Sequence, residues 1–106
     1  VTRPVPQLAA ALALVDLLRE FPAEAGAALW SVDRHGVGLH GFVPDRSAAG
    51  GHAVEVLARL LGDRAEVEPS EYLSDGVLCR TVRVDVVWRD VRVEVCASVP
   101  VTGQAA

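Results

Sequence analysis

The side chains best suited to chemistry cluster in the middle of the chain: Asp33, His35, His40 and His52. Imidazole with carboxylate is a donor set for zinc, copper or nickel, and a His beside an Asp can also act as a general base. The spacing weighs against a metal, because it matches no compact zinc module. With His35 in a turn and His40 in mid-strand, the two stand roughly 17 Å apart at ~3.4 Å per residue. Solvated or capping histidines are the plainer reading, and neither a metal nor a cofactor is expected. An enzyme built on the 33–52 region ranks last among the functional readings.

A second candidate is Gly50-Gly51-His52 at the start of a helical segment. Helix N-terminal amides with glycine clearance can hold an anion, and His52 would add a donor. The competing reading is a flexible loop entering a helix, with Ser47 as an alternative cap. Cys79 and Cys96 form a third candidate. The hairpin register derived below sets Cys96 opposite Arg83 and leaves Cys79 four residues further on, about 13 Å away. A disulfide needs Cα atoms within about 7 Å, so two free thiols in a reducing compartment are expected. Nothing positions a His to make Cys96 a nucleophile. The chain contains no P-loop, G-x-S-x-G, H-E-x-x-H or paired C-x-x-C motif.

The elements that must position these groups follow from periodicity. Pro4 and Pro6 open a first helix over about 7–20, which Phe21-Pro22 stops. Its apolar residues form two rows, Leu8, Leu12, Val15 and Leu18 beside Leu14, Leu17 and Phe21. A helix on one sheet face needs only about a 100° apolar arc. The surplus points to a contact with another element or chain, and Leu14, Leu17 and Phe21 are the candidate interface. The plainer alternative is that abundant Ala and Leu simply widen the stripe.

Residues 25–32 and 37–43 read as strands around Asp33-Arg34-His35-Gly36. A four-residue loop puts Trp30 and Val32 on one face with Val37 and Leu39, while His40 points the other way. A three-residue bulged loop would shift the partners by one. Pro44 to Gly51 reads as loop, and a second helix spans about 52–61, with Ala53, Leu57, Leu60 and Leu61 inward and Gly62 as cap.

The C-terminal half carries strict alternation. Val82, Val84, Val86 and Trp88 lead through Arg89-Asp90 to Val91, Val93, Val95 and Ala97. A two-residue turn pairs 88 with 91, 86 with 93, 84 with 95 and 82 with 97, so one hairpin face is wholly apolar. Asp75-Gly76 predicts a further hairpin, pairing Leu73 with Leu78 and Glu71 with Arg80, and Pro69 sends that added strand to an edge. Trp30, Val82, Val84, Val86, Trp88, Val93 and Val95 are expected to share one core with both helices. The predicted fold class is α+β, a single domain over 1–106 with tails at 1–5 and 100–106. Its order is α-β-β-α-β-β-β, giving a mainly antiparallel five-stranded sheet with two helices packed on one face.

Composition bounds the rest. The chain has no Lys, Ile, Asn or Met, and all ten basic side chains are Arg. The codons of those four residues are rich in A and T, so a high-GC source is expected, and Val1 reads as a literal GTG start of a complete small protein. A net charge of −4 argues against a general nucleic-acid binder, which needs a basic face. The run 8–18 is too short to span a bilayer and is interrupted by Asp16, while Arg19 to Pro22 sit where a signal peptide turns small and neutral. A cytoplasmic location without membrane contact is therefore expected.

The runs 12–22, Leu29-Trp30 and 54–62 resemble small uncharacterised proteins of actinobacteria, over about half the chain. The matching residues are core and caps, so the resemblance implies no activity. The element order is also similar to small chaperone-like α+β modules that dimerise through a helix or a sheet edge, although their usual third helix is missing from this reading. The functional expectation is a non-catalytic protein-interaction or regulatory module, a homodimer or the binder of another protein. A small-ligand or anion-binding domain using Gly50-Gly51-His52 is the alternative.

Overall fold

A computed structural model describes residues 7–33 and 38–101. The readings placed on Pro4, Pro6, residues 34–37 and most of both tails lie outside the described residues. Within them the order is α1 (Leu8–Glu20), α2 (Pro22–Gly26), β1 (Leu29–Val32), β2 (Gly38–Val43), α3 (Ala48–Leu60), β3 (Glu66–Ser74), β4 (Val77–Trp88) and β5 (Val91–Pro100). The fold class is α+β with a five-stranded sheet ordered β1-β2-β5-β4-β3.

The sheet is mixed, which corrects the expectation of a mainly antiparallel arrangement in one respect. β2 runs parallel to β5, from Gly38 opposite Arg92 to Val43 opposite Ala97, while the other pairings are antiparallel. Hairpin signals relate only neighbours in sequence. This pairing joins strands separated by α3 and the β3–β4 hairpin, a crossover of the kind parallel strands require.

The period-2 alternation predicts the β4–β5 register in full: Trp88 faces Val91, Val86 faces Val93, Val84 faces Val95 and Val82 faces Ala97. Leu73 faces Leu78 and Glu71 faces Arg80. β3 is an edge strand, and its register shifts between Val67 and Glu71, around Pro69. Both tight turns place two consecutive residues at positive φ, as a type I′ hairpin turn requires. Asp75 and Gly76 lie at φ 50° and 79°. Arg89 and Asp90 lie at φ 52° and 63°, without a glycine to relieve the left-handed backbone.

Three boundaries differ from expectation. Ala25 and Gly26, read as the start of a strand over 25–32, instead end a short helix, α2 (Pro22–Gly26), which makes three helices where two were expected; Pro suits the first helical turn and Ala and Glu are good helix formers. β1 pairs Val32 with Leu39, not with Val37. That is a shift of two, so Trp30, Val32 and Leu39 still share one face and His40 the other. Finally, α3 begins four residues before His52, at Ala48 behind the N-cap Ser47.

Ala10, Ala13 and Leu17 of α1, with Val54, Leu57, Ala58 and the following Leu61 at α3, join Leu39, Val43, Val82, Val84, Val91, Val93, Val95 and Ala97 in one buried cluster. Trp30, Val86 and Trp88 pack against it. Leu60, expected inward, is exposed. α3 ends in a Schellman motif. The Asp63 N–H donates to the Ala58 carbonyl at 2.9 Å, the Gly62 N–H donates to Arg59 at 3.1 Å, and Gly62 takes φ 89°.

Candidate functional site

Gly50 and Gly51 lie inside the first turn of α3, and both are buried. A Cβ on Gly50 would fall 1.8 Å from the Asp45 carbonyl oxygen, and one on Gly51 would fall 2.8 Å from Val99 Cγ1. The two glycines let the helix start press against its own lead-in loop and against the sheet. The helix start also caps itself. Ser47 Oγ accepts from the Ala49 N–H at 3.2 Å and donates to Asp45 Oδ1 at 2.6 Å, and that same oxygen accepts the Ser47 N–H at 2.9 Å. These bonds from the Ser47 side chain and backbone hold the Asp45 carboxyl below its usual range. Asp45 and Ser47 thus form the cap at the helix start, where anion binding was the alternative reading. His52 is exposed.

The sequence cluster of Asp33 and three histidines does not converge in the described part of the chain. His35 lies outside it. Among the described residues, no group of three or more His, Cys, Asp or Glu side chains is arranged to hold a metal. His40 instead joins a chain of polar contacts on the sheet face opposite the buried cluster. Its Nε2 lies 3.0 Å from Glu94 Oε1, Glu94 also pairs with Arg83, and Arg83 Nη1 donates to Glu68 at 3.0 Å. Beside it Arg92 donates twice to Asp85, at 3.1 and 2.7 Å. Glu68 and Glu94 raise the Arg83 pKa, and Arg92 lowers that of Asp85. Opposite charges are matched across neighbouring strands, which is how a solvated sheet face satisfies itself.

Cys96 lies on that same face, opposite Arg83, and Cys79 stands opposite Pro100. Both are free. Burial, then the nearby Glu94 charge, pushes the Cys96 thiol above its ordinary pKa, the opposite of what a nucleophile needs. Tyr72 reaches across β4 to bond Ser98, and Thr81 Oγ1 donates to the Tyr72 hydroxyl at 3.2 Å. That hydroxyl group cluster satisfies itself in the same way.

Among the described residues α1 exposes four large apolar side chains in one row, while other exposed ones, Leu29, Leu73 and Val87 among them, lie on the strands. The candidate interface residues Leu14, Leu17 and Phe21 are on its inward side: Leu17 is fully buried, and Leu14 and Phe21 pack against the core. The Phe21 ring centroid lies 6.5 Å from that of Trp88. The row left to solvent is the other one, with Leu8, Leu12, Val15 and Leu18 exposed by 54, 57, 44 and 38%. Ala10 and Ala13 explain the choice. These small side chains let the helix approach the sheet closely, whereas the sequence reading weighed only the larger apolar residues. α1 is also fixed at its flank by Arg89, which pairs with Asp16 at 3.1 Å and with Glu20, and lies 4.4 Å over the Trp88 ring. The sequence carries no signal for that clamp, because the acids are some seventy residues from the turn they hold.

Comparison with protein-family models, curated proteins and solved structures finds no match to this chain. Among the described residues no helix is long and apolar enough to cross a membrane.

Proposed function

We propose that this protein is a small non-catalytic interaction module of the cytoplasm that works as a homodimer, with the outer row of α1 as the contact. The observation that carries this reading is the exposed stripe Leu8, Leu12, Val15 and Leu18 on a helix whose other row is already buried. Its spacing favours a second copy as occupant. The intervals of four, three and three residues are close to palindromic. A two-fold axis near the helix middle would set Leu8 against Leu18 of the second copy and Leu12 against its Val15. A cyclic dimer uses one patch twice in this way. The ion-paired sheet face, by contrast, has its charges matched internally.

Magnitudes bound the affinity. The four side chains are about half exposed, so burying the remainder is worth roughly 0.7–1.5 kcal/mol each, or about 6–12 kcal/mol for the eight of a dimer. Association costs about 4 kcal/mol or more. The α1 contact alone therefore supports a Kd no tighter than about 1 µM. Sedimentation velocity from about 10 to 500 µM tests the reading, with a concentration-dependent rise toward the dimer expected. A strict monomer across that range would refute it.

A further inference from the structure

We infer that β1 pairs antiparallel with β1 of a second copy, joining two five-stranded sheets into one of ten strands. This rests on the self-association reading above and names a second contact within the same dimer. It starts from an asymmetry between the two sheet edges. β3 is guarded by Pro69, by a register shift and by Glu66, Glu68 and Glu71. β1, Leu29-Trp30-Ser31-Val32, carries no proline, no charge and no register shift. Natural proteins blunt edges with those devices, and an unguarded edge accepts a strand.

The hydrogen-bond pattern says which groups are free to pair. The Asp33 N–H donates to the Gly38 carbonyl at 2.9 Å. Bonded and non-bonded pairs alternate along an antiparallel ladder, so Ser31 opposite His40 and Leu29 opposite Phe42 are the bonded pairs. The backbone N–H and C=O groups of Trp30 and Val32 therefore point away from β2. Among the described residues no hydrogen bond takes them up.

Those four groups define one symmetric register. Trp30 exchanges two hydrogen bonds with Val32 of the second copy, and Val32 exchanges two with its Trp30. Ser31 then faces Ser31 of the second copy across the axis as a non-bonded pair, with Cα atoms about 4.5 Å apart. The strand is held ready for this, because the Trp30 Nε1 donates to the Ala25 carbonyl at 2.7 Å and ties β1 to α2. α1 lies against β2 and β5, the second and third strands in from this edge, and Gln7 at its N-terminal end donates to the Asp33 carbonyl just past β1. A second contact is also what the energetics call for, since the α1 row is one short helix face and a standard interface buries about 800 Å² per partner.

The test is a Ser31→Cys variant of the full chain under mild oxidation, read on a non-reducing gel. Cα atoms about 4.5 Å apart are within disulfide reach. A covalent dimer is expected from the variant and not from the wild-type chain, which retains Cys79 and Cys96. Amide exchange supplies the second readout: the Trp30 and Val32 amides should slow at least tenfold as concentration rises. If the chain dimerises in the centrifuge but Ser31→Cys stays monomeric on the gel, or those amides stay fast, the β1 pairing is overturned and the α1 contact stands. If Ser31→Cys cross-links and Leu12→Glu leaves the dimer intact, the α1 contact falls and the β1 pairing stands. A monomer at every concentration ends both.

Discussion

Replacing Gly50 by alanine separates a packing glycine from one kept for ligand access. A Cβ at that position would stand 1.8 Å from the Asp45 carbonyl oxygen and 2.9 Å from its carbonyl carbon, where real Cβ contacts essentially never fall below 3.0 Å. The obstacle is backbone, so the 44–47 segment must retreat by about 3.0 − 1.8 = 1.2 Å. That retreat pulls Asp45 and Ser47 out of their capping geometry. Overpacking costs about 1–3 kcal/mol, and loss of a cap about 1 kcal/mol. Alanine returns about 1 kcal/mol through its higher helix propensity. The net destabilisation is about 1–3 kcal/mol. Gly51→Ala meets only a Val99 methyl at 2.8 Å, a side chain able to shift, so its cost should be smaller, near 1 kcal/mol or less. Urea unfolding followed by Trp fluorescence measures both. A Gly50→Ala variant as stable as wild type, or more so, would refute the packing argument and reopen the helix start as a place left clear for a ligand.

Two further outcomes follow from burial and backbone geometry. Val84 is 2% exposed within the β4–β5 core, so Val84→Asp should cost more than about 3 kcal/mol in urea unfolding by burying an unpaired carboxylate, and a neutral result would contradict the register. Asp90 holds φ 63° in a turn without glycine, so Asp90→Gly should raise stability by about 0.5–1 kcal/mol in thermal unfolding; a loss would show that its side chain contributes more than the strain it carries.

What could be read from the chain tracks the range of the physical signal. The β4–β5 register was legible because Val82 to Trp88 and Val91 to Ala97 carry period-2 patterning, and a one-residue slip would turn every one of those apolar side chains to the other face. Asp75-Gly76 and Pro69 located β3 and its edge position for equally local reasons. The parallel β2–β5 pairing was not legible, because nothing local to Gly38–Val43 names a partner some fifty residues away. The start of α3 was hidden by its composition. Ala48-Ala49-Gly50-Gly51 has the glycine content of a loop, and only the contacts of those glycines with Asp45 and Val99 explain why the helix tolerates them. The site suffered most. Both rows of α1 are apolar, so periodicity detected the surplus but assigned it to Leu14, Leu17 and Phe21, when Ala10 and Ala13 turn that side toward the sheet.

The central claim, that the outer row of α1 is a contact between two copies, is tested most directly by Leu12→Glu. Leu12 is 57% exposed, so the substitution should leave folding intact, within about 0.5 kcal/mol in urea unfolding. In sedimentation velocity at several hundred micromolar, the wild-type chain should sediment largely as a dimer. Leu12→Glu brings two like charges close to the two-fold axis, and the account predicts that it sediments as a monomer. A wild-type monomer, or a Leu12→Glu chain that dimerises as well as wild type, would contradict it.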